Sequence, residues 1–101
     1  MATADEYPAL VRRVRDLAQT LAARHPGLWH YEFILDRVQH AELSPDTRST
    51  FDALFPLGSL AVREFEPAEG EYADLRDALC SLVDAARVRA GVSLEEYRRG
   101  R

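Results

Sequence analysis

The chain has 101 residues, 47% hydrophobic and 30% charged, with a formal net charge of −4. This balance fits a single globular domain over 1–101 rather than a disordered segment, and the acidity argues against nucleic acid, whose phosphates need a concentrated basic surface. No apolar run approaches the roughly 20 residues of a membrane span, Met1-Ala2-Thr3-Ala4 lacks the basic and apolar pattern of a leader, and the single cysteine, Cys80, rules out an internal disulfide, so a cytoplasmic location is expected.

The first predicted helix runs from about Glu6 to His25. Asp5 suits the N-cap and Pro8 falls in the first turn, where a missing N–H costs little. Tyr7, Leu10, Val14, Leu17, Ala18 and Leu21 share one face at 100° per residue, and His25-Pro26-Gly27 breaks the pattern. A second helix is expected over Leu28 to Leu43. Its main apolar face carries Tyr31, Ile34, Leu35, Val38 and Ala41, and a second stripe carries Trp29 and Phe33. A helix apolar on two sides is either central or presented to a partner.

Ser44-Pro45 reads as an N-cap and first helical residue. The third helix then buries Phe51, Leu54 and Phe55 and is expected to stop before Pro56. Residues 57–70 fit neither the helical nor the strand period; an irregular or extended segment is expected there. Were Leu60–Glu66 extended, its backbone groups would need another chain to pair with. A fourth helix spans about Glu71 to Ala90, with Tyr72, Leu75, Leu79, Leu82, Val83 and Ala86 inward and Gly91 as its stop. Ser93-Leu94-Glu95-Glu96 opens a short last helix. The expected fold is all-α: a bundle of four main helices plus a short C-terminal one.

The basic residues are all arginine, lysine and asparagine are absent, and Ile34 is the only isoleucine. These depletions together point to a GC-rich bacterial genome, so the arginine count has no functional meaning by itself. Charge is unevenly placed. Residues 64–84 hold seven carboxylates against Arg76 alone, and Asp74, Asp77 and Asp84 form an acidic surface opposite the core stripe. Such a surface suits a basic partner, as in an antitoxin or immunity protein, and equally an ordinary solvated face.

Glu32, Asp36 and His40 follow one another at spacings of four, with His30 nearby. Imidazole and carboxylates so spaced can share a divalent metal, which makes a small metal-binding protein or enzyme subunit the second functional reading. Bundle metal sites, however, repeat a Glu-x-x-His element, and none is present. No cofactor motif occurs: the glycines are isolated, no serine has a Gly-x-Ser-x-Gly context, and Cys80 sits inside a helix, away from an N-terminus that would favour its thiolate. A DNA-binding recognition helix would be basic, yet the 44–55 helix carries only Arg48, and no carrier-type attachment serine is present. The pattern leans away from an enzyme.

Aromatics are the best binding candidates, because they bury much area at low entropic cost. Trp29 and Phe33, four apart, together with Leu57, Leu60, Val62 and Phe65 from the stretch with no evident intramolecular home, form the expected interface. The first functional reading is a non-catalytic interaction protein, an adaptor, inhibitor or accessory subunit, that binds a protein partner or itself as a homodimer.

Overall fold

In the computed structural model, which describes residues 3–64 and 70–99, the chain forms α1 (Tyr7–Arg24), α2 (Trp29–Leu43), α3 (Thr47–Glu64), α4 (Glu71–Ala90) and α5 (Leu94–Arg99), preceded by a 3-10 turn over Ala4–Glu6. No strand occurs among the described residues, and none of their helices is long and apolar enough to cross a membrane. Asp5 lies within the 3-10 turn instead of capping α1, and the Glu6 N–H bonds the Thr3 carbonyl at 3.2 Å. Pro8 remains in the first turn of α1, as its missing N–H allows.

The main helices close a ring in which α1 packs on α2 and α4, and α3 packs on the same two. Contacts between helix ends set the directions. His25, after α1, meets Tyr31 near the start of α2 and Tyr72 near the start of α4. At the other end Thr50 of α3 reaches the Ala41 carbonyl of α2, and Arg89 of α4 lies over Tyr7 of α1. Neighbouring helices are therefore antiparallel, in an up-down-up-down bundle. Its Cα radius of gyration, 12.8 Å, matches the ~13 Å of a folded chain of about 100 residues.

The core follows the helical stripes. Val14, Ala18 and Leu21 of α1, Ile34 and Val38 of α2, Leu54 of α3, and Leu75, Leu79 and Leu82 of α4 are buried. Each large aliphatic side chain so buried contributes about 1.5–3 kcal/mol. Tyr72, expected inward, is instead partly exposed at its end of α4.

Helix α3 departs most from expectation. It begins at Thr47, because Asp46 and not Ser44 caps it: the Ser49 N–H donates to Asp46 Oδ1 at 2.7 Å, and the Thr50 N–H to the Asp46 carbonyl at 3.0 Å. Hydrogen bonds from the Ser49 N–H and hydroxyl, with the Arg48 N–H, hold the Asp46 carboxyl below its usual pKa. Ser44 closes α2 instead, its hydroxyl donating to the His40 carbonyl. Nor does α3 stop at Phe55. Pro56 lies inside it, and the helix continues because Leu57, Leu60 and Ala61 enter the core at 0%, 2% and 0% exposure. That burial outweighs the ~3 kcal/mol helix penalty of proline. Residues 57–64 thus have an intramolecular home as helix, whereas Phe65 and the rest of 65–69 lie outside the described residues.

The end of α4 is closed as its glycine implies. Gly91 is left-handed (φ 72°, ψ 22°), its N–H bonds the Val88 carbonyl, and the Val92 N–H bonds the Arg87 carbonyl, a Schellman closure. Arg87 is 8% exposed; it grips Asp84 Oδ1 through Nε and Nη2 (3.2 and 3.0 Å) and donates to the Val92 carbonyl through Nη1 (2.8 Å). Ser93 caps α5 by accepting from the Glu96 N–H at 3.1 Å. The Glu96 carboxylate completes no capping box and pairs with Arg48 of α3 instead.

Candidate functional site

The end of the bundle formed by the close of α1 and α3 and the start of α2 and α4 concentrates aromatic and imidazole groups. Pro26 and Gly27 end α1 and turn the chain, so that Leu28, Trp29, His30 and Tyr31 enter α2 as a run of large side chains. Tyr31 points inward and is buried, and Trp29, 54% exposed, points out beside exposed Leu28. The Trp29 ring lies 4.3 Å from the His30 ring and 6.0 Å, edge-on, from Phe33. Phe33 is half-buried and packs against the core.

Polar groups tie this end to the other helices. His30 Nε2 donates to Glu64 Oε2 at 3.2 Å, joining α2 to the close of α3. His25 Nε2 and the Tyr72 hydroxyl share a hydrogen bond of 2.8 Å between the α1 terminus and α4. Burial pushes the Tyr31 phenol above its usual pKa, and neighbouring Tyr72 pushes it further. Trp29 therefore stands on a base tied by side-chain pairs to the close of α1 and α3 and to the start of α4.

The sequence-derived site residues separate into groups. Trp29 and Phe33 stand together. Leu57 and Leu60 are in the core, and Val62, 51% exposed, lines a different groove with Gly58, Cys80, Val83 and Leu94. The metal candidates also divide: His30 goes to Glu64, while His40 pairs with Asp36 at 3.5 Å and donates from Nδ1 to the Asp36 carbonyl. Glu32 is exposed. Among the described residues no group of three or more His, Cys, Asp or Glu is arranged to hold a metal ion. Of the acidic surface, Asp74 and Asp77 are exposed, Asp77 with Arg76 beside it, and Asp84 is committed to Arg87.

Sequence reading missed His25, Tyr72 and Glu64 as parts of this end. Their partners are 47 and 34 residues away, and no local pattern announces such pairs. It also missed the groove beside α5, about 250 Å³, lined by Arg48, Phe51, Phe55, Pro56 and Tyr97 among others. There Phe51, Phe55 and Tyr97 pack ring against ring at 5.3–6.0 Å. Tyr97 can settle there because Gly58 has no side chain: a Cβ at that position would meet the Tyr97 hydroxyl at 3.3 Å.

No family model, curated protein or solved structure matches this chain.

Proposed function

We propose that this chain is a non-catalytic helical interaction protein that self-associates through its Trp29 end. One observation carries the reading: its single tryptophan is more than half exposed, beside exposed Leu28 and against His30 and Phe33, in a chain that buries most of its other large apolar side chains. An exposed aromatic packed against neighbouring rings has less freedom to lose on docking, which is the property of interface anchors.

Sedimentation velocity across a concentration series tests the proposal, with Trp29→Ala as the comparison. The wild type is expected to associate as concentration rises. The variant is expected to lose at least about 2 kcal/mol of association free energy, roughly 30-fold in affinity, with an unchanged helical circular dichroism spectrum. A wild type that remains monomeric throughout, or a variant that associates equally well, overturns it.

A further inference from the structure

The opposite end of the bundle holds a cleft of about 560 Å³ to which all four main helices contribute. From α1 come Tyr7, Pro8, Val11, Arg12 and Arg15, spaced so that 7, 11 and 15 rise along one side and 8 and 12 beside them. Ala41 and Glu42 close α2, Thr50 opens α3, and Arg89 ends α4. Three guanidinium groups thus face one carboxylate, a local excess of positive charge on a chain whose net charge is −4. Pro8, Val11 and Ala41 supply apolar lining between them.

We propose that this cleft is a binding site for a small organic oxyanion, a phosphate or carboxylate carried on an apolar body, held by Arg12, Arg15 and Arg89. The three arginines are in different states, and those states show how the site would work. Arg15 already holds an oxyanion, the carboxylate of Glu42, so the cleft demonstrates its own chemistry on an internal group. That bridge is partly exposed, with side chains 33% and 47% accessible, and exposed bridges are weak; an incoming anion displaces it at little cost. Arg89 is positioned on Tyr7, its guanidinium carbon 4.2 Å from the ring centre and one of its N–H groups hydrogen-bonded to the phenol, and its remaining N–H groups suit an oxyanion. Arg12 is exposed and has no ion-pair partner among the described residues. Burial keeps Tyr7 a neutral phenol to higher pH than usual, so its hydroxyl remains a donor and does not repel the ligand.

The bulk of the cleft argues for more than an inorganic ion. Organic ligands occupy pockets of about 300–1,000 Å³ with a few convergent polar groups on an apolar lining, and 560 Å³ lies within that range. Glu42 acts as an internal competitor, a role that separates ligand binding from simple structural support.

The test is side-chain NMR of the arginine Nε–H groups during titration of the intact protein with phenyl phosphate, benzoate or phenol, each at the same ionic strength. Phenyl phosphate or benzoate is expected to shift Arg12, Arg15 and Arg89 saturably, and the tighter of the two identifies the anion class; phenol is expected to leave them in place. Arg12→Ala and Arg89→Gln should each weaken binding about five- to tenfold, the loss of one charge-assisted contact at a partly exposed site. Glu42→Gln should strengthen it about threefold by releasing Arg15. Arg12→Ala removes an exposed side chain and leaves the fold intact, so it serves where Arg89→Gln disturbs Tyr7. Non-saturating drift like that produced by sodium chloride, equal response to phenol, or unchanged affinity in both Arg12→Ala and Glu42→Gln overturns the proposal.

Discussion

At one end of the bundle Trp29, His25, His30, Tyr31 and Tyr72 crowd together with Glu64; at the other Arg12, Arg15 and Arg89 surround Tyr7 and Glu42. Both ends close on a buried or half-buried tyrosine contacting a residue from a neighbouring helix, yet they differ in what they leave to solvent. The first satisfies its histidines in pairs and leaves an apolar ring outside. The second packs its apolar groups inward and leaves cationic edges around a cleft. An antiparallel bundle makes this division straightforward, since each end is assembled from a different set of helix termini and can be chemically unlike the other end.

Damage to the core that both ends share should have the largest effect. Leu54 is fully buried at the middle of α3, and Leu54→Ala should cost about 2–5 kcal/mol, measured by urea unfolding, with Trp29 fluorescence and the arginine Nε–H signals lost at the same midpoint. Separate midpoints would mean that the two ends unfold independently. Next comes Arg87→Ala, which leaves the Asp84 carboxylate half-buried without its partner and the Val92 carbonyl without its donor. A loss of about 2–3 kcal/mol is expected, with resonances around α5 and the close of α4 perturbed and those around Trp29 unchanged. Gly91→Ala should follow at about 1–2 kcal/mol, because a Cβ is disfavoured at its positive φ; calorimetry should show a fall of several degrees in melting temperature.

Tyr72→Phe, the counterpart at the other end, removes one partly exposed hydrogen bond to His25 and should cost only about 0.5–1 kcal/mol. The smallest effect is a titration. Burial raises the pKa of Tyr7 at one end and Tyr31 at the other, but Arg89 opposes the rise at Tyr7 while Tyr72 reinforces it at Tyr31. Both folded values lie above the ordinary 10.0, so the stability that each neutral phenol contributes is fully present below pH 10 and is lost as pH rises through the folded value. Ultraviolet titration should show these two tyrosines ionising late, and Arg89→Gln should delay Tyr7 further without moving Tyr31.

The interior was readable because helical periodicity reports burial directly. Val14, Ala18, Leu21, Ile34, Val38, Leu75, Leu79 and Leu82 were visible as stripes and are buried. Pro56 misled because a local rule, proline ends helices, met a tertiary gain: Leu57, Leu60 and Ala61 bury completely or nearly so only if the helix continues. Asp46 was overlooked because the adjacent Ser44-Pro45 pair carries a stronger cap signal, which in the structure serves the end of α2. At the candidate site Trp29 and Phe33 were legible from the two-sided pattern of α2. The pairs His25–Tyr72 and His30–Glu64 were not, since only the folded chain brings them together. The arginine cleft was least legible of all. With arginine in place of lysine throughout, no single arginine stands out by its type, and the meaning lies in which three side chains converge, a property of helix order rather than of composition.

Trp29 faces water in the monomer, and the proposed self-association covers it. Because it is the only tryptophan, its fluorescence emission reports this without a label. A red-shifted, readily quenched emission is expected in dilute protein, moving to the blue and resisting iodide quenching as concentration rises. An emission already blue and protected at the lowest concentration, or red and quenched at every concentration, would contradict it.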